Sequence, residues 1–156
     1  MPFIQNVAAA DIGAGFFTDP GENAVLIQIM DPCSSWWPVP KHEFKEIHKF
    51  EFLDIEKNDF SIDEGFRISD VQAFELVQIL RRALDNGSNI IVHCHAGICR
   101  SGAVTEVGVM MGFEDTNRFR NPNMLVKHKM MSELGWTYDE KEESSKVLPL
   151  PTDFTK

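Results

Sequence analysis

Ile90-Ile91-Val92-His93-Cys94-His95-Ala96-Gly97-Ile98-Cys99-Arg100-Ser101 is the stretch on which the fold of this chain turns. Ile90, Ile91 and Val92 form a short β-branched run that reads as a buried strand. From Ser101 to Met111 the apolar spacing is helical, and Gly112 stands where such a helix closes. The residues between them form a loop from the end of a strand to the start of a helix. A loop in that position aims successive backbone N–H groups into one concavity, and the helix N-terminus adds positive potential there. Gly97, in mid-loop, admits a positive φ that other residues resist.

Working outward, the clearest upstream element is a capped helix. Ser69 and Gln72 have the spacing of a capping box, and Gly87 that of a helix end. Val71, Phe74, Val77, Leu80 and Leu84 recur at three and four residues and predict its apolar face. Further back, Ala24-Val-Leu-Ile-Gln-Ile-Met30 reads as a buried strand following Pro20-Gly21, and residues 49–53 as a second one. Between them, Asp31 to Pro40 holds three prolines and two tryptophans and reads as a loop. Downstream, Asn121-Pro122 predicts a helix start with Asn121 as N-cap. Met124, Lys127, Met131 and Leu134 would line one side of that helix, and Gly135 would end it. Strands alternating with helices predict a single layered α/β domain, its central sheet mostly parallel and flanked by helices. The expected organisation is a domain over residues 1–136 and an acidic, proline-containing tail over 137–156 without regular structure.

The chain has 156 residues and 43% apolar content, enough for one domain with a core. Its formal charge of −9 argues against a general nucleic-acid binder, though not against a local anion site. Three cysteines, an odd number, do not suggest a secreted disulfide scaffold. The N-terminus lacks the pattern of a signal peptide, and no apolar run has the length of a membrane span. A reducing cytoplasm is the expected setting, with no membrane partner.

Within the loop, Cys94 opens the concavity and Arg100 closes it. Arg100 can offer a planar, permanently charged fork to two phosphate oxygens. The field that binds a dianion also favours a thiolate over a thiol, so Cys94 is the expected nucleophile. Ser101 can donate a hydrogen bond to its sulfur, and His93 can brace the loop. In sum, His93-Cys94-x5-Arg100-Ser101 resembles the signature loop of the protein tyrosine phosphatase superfamily, in its small dual-specificity-like bacterial and phage branch. Ile27-Gln-Ile-Met-Asp31-Pro32, Phe52-Leu-Asp-Ile55 and Asn121-Pro-Asn123 resemble landmarks of the same branch, so the likeness spans roughly residues 24 to 134.

That resemblance implies a dual-specificity-phosphatase-like fold and hydrolysis of phosphotyrosine, with phosphoserine and phosphothreonine as a wider range, through a phosphocysteine intermediate. It implies no metal and no cofactor, and phosphoproteins as substrates. His95, Ala96, Gly97, Ile98, Cys99 and Arg100 would bind the phosphate, with Cys94, Arg100 and Ser101 in the chemistry. A general acid is also required, on the segment after the strand that precedes the capped helix. Asp54 is favoured over Asp59 for that role, and Asp63 comes third.

Other readings of the same residues carry less. His93, Cys94 and His95 are neighbours that cannot all face one metal ion. Trp36-Trp37-Pro38 resembles the acid loop of larger tyrosine phosphatases, but Val39 stands in the aspartate's place and the segment precedes the wrong strand. Cys99 reads as a small neutral residue rather than a disulfide partner of Cys94. A phosphoinositide substrate is disfavoured because the loop carries no lysine, and nucleotide phosphate is disfavoured by the acidic balance. Arsenate reduction would need a resolving cysteine, for which Cys33 is the lone candidate outside the loop. A phospho-binding module without turnover is the rival from another class.

Overall fold

The computed structural model describes residues 1–56 and 66–136. The order of elements is β1 (Phe3–Ala8), α1 (Ala9–Ala14), β2 (Ala24–Met30), β3 (Glu46–Glu51), α2 (Asp70–Asn86), β4 (Asn89–Cys94), α3 (Arg100–Met111), β5 (Glu114–Asp115) and α4 (Met124–Glu133). The five strands form one sheet in the order β3-β2-β4-β1-β5, and every pairing is parallel. The expected α/β layering with a central parallel sheet is therefore what the chain adopts.

Parallel strands are joined by crossovers that cover both sheet faces, so central strands must be apolar throughout. All seven residues of β2 are buried, as are Ile90 to Cys94 of β4. The larger core lies between the sheet and α2, α3 and α4, around Ile27, Phe52, Leu76, Leu80, Val104 and Met130. The opposite face is thinner: Val7, Ile12, Leu26 and Ile91 pack beneath Phe3, Phe17 and Phe44. None of the helices among the described residues is long and apolar enough to cross a membrane.

Helix α2 carries the expected capping box. Ser69 Oγ accepts from Gln72 N at 3.1 Å and Gln72 Oε1 accepts from Ser69 N at 2.9 Å, while Gly87 closes the far end at φ +67°. The expected apolar face needs correction. The helix buries Ala73, Leu76, Val77, Ile79, Leu80 and Ala83, whereas Val71 and Phe74 are 67% and 50% exposed. The two alanines set the phase: they let α2 approach the sheet closely, which turns the bulkier Phe74 out beside β3.

Two other expectations shift. The N-cap of α4 is Asn123, not Asn121, because its Oδ1 accepts from Val126 N at 3.1 Å. With the helix starting two residues later, the buried side is Val126, Met130 and Met131: Met131 of the predicted stripe is buried and Leu134 packs against the core, while Met124 and Lys127 give way to Val126 and Met130. The second strand begins at Glu46, where pairing with Val25 of β2 starts, and Phe52 lies beyond its end. The structure also adds β1, which lies between β4 and β5 and was not anticipated from periodicity. The tail at 137–156, together with Asp59 and Asp63, lies outside the described residues.

Candidate active site

In an open α/β sheet, ligands bind beyond the carboxyl ends of the strands. Strands β1, β2, β3 and β4 each bring a polar residue to that edge or just beyond it. Asn6 lies near the end of β1, Asp31 follows β2, Asp54 stands shortly after β3, and Cys94 is the last residue of β4. The loop His95–Cys99 then leads straight into α3, whose first residue is Arg100.

Four of the loop's five carbonyls are bonded to elements around it. His95 O accepts from Ala9 N at 3.2 Å, Gly97 O from Asn6 Nδ2 at 2.7 Å, Ile98 O from Asn121 N at 3.1 Å, and Cys99 O from Asn123 N at 2.9 Å. The N–H groups of Ala96, Gly97, Ile98 and Cys99 donate to nothing among the described residues. Successive unspent donors at the start of a helix can surround an anion. Gly97 makes this possible: at φ +76° its Cα packs against β1, and a Cβ would lie 2.3 Å from Val7 C and 2.4 Å from Ala8 N.

Cys94 is 2% exposed at the base of this cradle, and its Sγ lies 3.1 Å from Ser101 Oγ. Arg100, 5% exposed, directs Nη1 to two acceptors, Asp31 Oδ1 at 2.8 Å and the Phe52 carbonyl at 2.8 Å. Its Nε is buried without a partner, and Nη2 makes no hydrogen bond among the described residues. His95 and Ala96 are exposed at the rim, while Ile98 and Cys99 are half-buried.

Burial, with a smaller contribution from the charge of Arg100, lowers His93 from 6.5 to about 4, so its ring is neutral at pH 7. Its Nδ1 lies 3.4 Å from the Cys94 carbonyl, which places it as a brace of the chain beneath the loop. The Cys99 thiol is pushed up by burial and then by the charges of Asp54 and Cys94 nearby, so it stays protonated. All three cysteines are free thiols. Cys33 is exposed on the loop after β2, where its N–H bonds Glu51 Oε1 at 3.2 Å.

Of the two favoured acid candidates, Asp54 falls among the described residues. Asn123 Nδ2 donates to its Oδ1 at 2.6 Å, and the same amide reaches the Ile55 carbonyl at 3.2 Å. One cap residue thus joins the segment after β3, the start of α4 and, through its own N–H, the loop at Cys99.

Two further residues meet the site to which the sequence reading gave no site role. Asn6 is 2% exposed, and its amide bridges the carbonyls of Gly97 and Phe119 at 2.7 and 3.0 Å. Asp31 pairs with Arg100. The sequence signal for Asn6 is a polar pair, Gln5-Asn6, within an apolar N-terminal segment; for Asp31 it is a carboxylate directly following a buried strand. The Trp36–Pro38 segment is tied to its own loop and to the neighbouring strands: Ser34 Oγ donates to the Trp36 carbonyl at 2.8 Å, Gln28 Nε2 of β2 donates to the Pro38 carbonyl at 3.0 Å, and Lys49 Nζ of β3 stands 5.2 Å from the Trp37 ring centre.

No protein-family model matches the chain, and neither does any curated protein sequence. Solved structures do. The human tyrosine phosphatase-like serine/threonine/tyrosine-interacting protein superposes with a TM-score of 0.58 at 14% identity, over 86% of this chain and 93% of that one. Human DUSP28 gives a TM-score of 0.51 at 15% identity, over 94% of this chain and 90% of that one. At such identities the likeness is one of architecture: the chain has a dual-specificity-phosphatase-like α/β fold, with a cysteine and an arginine set at the carboxyl edge of its parallel sheet.

Proposed function

We propose that this chain is a protein tyrosine phosphatase that hydrolyses phosphomonoesters through a phosphocysteine intermediate. The observation that carries this reading is the cradle itself. Four consecutive N–H groups, the unspent edge of Arg100 and the sulfur of Cys94 belong to one short loop at the sheet's carboxyl end. A phosphate seated there would have its oxygens on the N–H groups and the guanidinium, with phosphorus above the sulfur.

In the first step the Cys94 thiolate attacks phosphorus, and the bond from phosphorus to the tyrosine oxygen breaks. A proton from the carboxyl of Asp54 passes to the departing oxygen. Asn123 occupies Oδ1 of Asp54, which leaves Oδ2 as the oxygen to carry that proton. In the second step water attacks phosphorus, the carboxylate takes its proton, and inorganic phosphate leaves as the thiolate is restored. Ser101 Oγ, 3.1 Å away, can donate to the sulfur as it regains charge. Donors aimed at the equatorial oxygens act throughout and supply the largest electrostatic share.

A second reading is a module that binds phosphotyrosine without turnover, since one solved structure of this fold is named a phosphatase-like interacting protein. One assay separates the two. Purified chain is incubated with peptides bearing phosphotyrosine, phosphoserine or phosphothreonine, and phosphate release is followed beside peptide binding. The phosphatase reading expects release from phosphotyrosine, lost by more than about a thousandfold in Cys94→Ser while binding persists. Binding without release in the wild type selects the module, and activity surviving in Cys94→Ser removes the nucleophile.

A further inference from the structure

Strand β3 is an open edge of the sheet: it pairs with β2 on one side and has no strand on the other among the described residues. In a parallel ladder only alternate residues bond the neighbouring strand, so the remaining N–H and C=O groups of β3 face outward. Phe50 belongs to the core beneath α2, so the even-numbered side chains turn toward α2 and the odd-numbered ones toward the opposite face. On that opposite face Lys45, Ile47, Lys49 and Glu51 are all exposed, Ile47 at 46%. On the α2 side, half-exposed Phe74 lines an open groove of about 400 Å³ with His48 and Phe50. Apolar side chains therefore stand uncovered on both faces of an unpaired edge.

Lysine on an edge strand ordinarily discourages pairing with another chain. Here the charges complement themselves in one register. Two identical antiparallel strands related by a two-fold axis set odd-numbered residues opposite odd-numbered ones, because each side chain stays on its own face of the sheet. Centred on Ile47, the pairing opposes Lys45 of each copy to Lys49 of the other; centred on Lys49, it opposes that lysine to itself. Centred on His48, it opposes Lys45 to Glu51 twice and Ile47 to the stem of Lys49 twice, with no lysine facing a lysine and no glutamate facing a glutamate. From this complementarity we infer that the outer edge of β3 docks on the same edge of a second copy of the chain, antiparallel about a two-fold axis at His48. The pairing joins two five-stranded sheets into one, covers Ile47 and brings the two Phe74 grooves together across the axis. The His48 ring at the axis is held to its own strand, with Nε2 at 2.9 Å from Glu46 Oε1. Strand β2 lies between β3 and β4, so the pairing leaves the cradle at Cys94 uncovered, and the inference does not rest on the phosphatase reading.

The test is sedimentation velocity on the full chain, with hydrogen exchange of the β3 amides measured beside it. An interface of one edge strand and its flanking side chains is small, so a reversible dimer with a Kd on the order of 10–100 μM is expected. Lys45→Glu and Glu51→Lys each turn two attractive pairs into two repulsive ones, and each should weaken self-association by at least about tenfold. Mixed in equal amounts, the two variants regain both attractive pairs, and a heterodimer of about wild-type affinity should form. Both side chains are exposed, so each variant should unfold within about 2 °C of wild type, which separates lost pairing from lost folding. A dimer indifferent to both charge reversals would place the contact on another face and overturn the inference. A mixture that fails to pair would overturn the register at His48. A wild-type chain that stays monomeric up to about 500 μM would overturn the pairing itself. In that case β3 amides protected from exchange would assign the edge to a segment of its own chain, and unprotected ones would leave it to a different protein.

Discussion

Gly97 shows what one residue contributes to this site. Its φ of +76° is open to glycine at little cost, and the backbone of Val7 and Ala8 fills the space where a Cβ would stand. The obstacle is main chain of β1, not the flexible end of a side chain, so it cannot step aside. Gly97→Ala must therefore lift the loop from β1, which also strains the Asn6 bond to the Gly97 carbonyl. We expect a loss of about 3 kcal/mol in stability, read as an unfolding midpoint lower by roughly 6–12 °C. Aryl phosphatase activity should fall by at least about a hundredfold even well below the new midpoint. An alanine variant with normal turnover would mean that the loop does not need its observed path.

Among the elements, the segment leaving β3 and the start of α4 form one unit. Asn123 caps α4 through Val126 N, holds Asp54 through its amide and anchors the Cys99 carbonyl through its own N–H. Arg120 fixes the approach to that cap: it spans both carboxylate oxygens of Asp115, at 3.1 and 3.0 Å, and meets Glu106 Oε1 at 2.8 Å. That tie holds Asp54 in a defined place, as the general acid proposed above requires; Asp59 lies outside the described residues. The pH–rate profiles of Asp54→Asn and Asp59→Asn decide between them. An acid must be protonated to act, so wild-type activity falls on the alkaline side, and removing the acid flattens that limb. We expect the flattening in Asp54→Asn, with a rate loss of about 10²–10⁴ on a poor leaving group. Flattening in Asp59→Asn instead would move the role along the chain, and flattening in neither would remove both assignments.

At the scale of the whole molecule, the buried neutral ring of His93 ties stability to pH. Its value in the fold is about 4, below the 6.5 of an unperturbed imidazole, so between these values the unfolded chain binds more protons than the folded one. Stability is then full above pH 6.5 and declines as pH falls through 6.5 toward 4, by a quantity on the order of 3 kcal/mol. Urea midpoints at pH 7, 5.5 and 4 measure the slope, and His93→Asn should flatten it whatever the variant's stability at pH 7. An unchanged slope in that variant would assign the acid sensitivity to other groups.

The sequence by itself determined what depends on neighbours along the chain. The strand-loop-helix passage from Ile90 to Met111, the Ser69–Gln72 capping box and the all-apolar β2 rest on local periodicity, backbone conformation and cap chemistry, and each is found as read. Tertiary structure alone decided what depends on partners distant in sequence. Strand β1 hides its place because Gln5 and Asn6 interrupt its apolar run; they are tolerated there only because Thr18, Gly97 and Phe119 satisfy them across the fold. The face of α2 is not legible from spacing alone, because Val71 and Phe74 are apolar yet exposed, Phe74 standing beside β3 outside the core. The grip on Arg100 likewise joins residues 69 and 48 positions apart, a relation that exists only after parallel pairing has set β2, β3 and β4 side by side. Periodicity and capping act over a turn of helix or a pleat of strand, whereas the partner of a buried charge is chosen by the sheet.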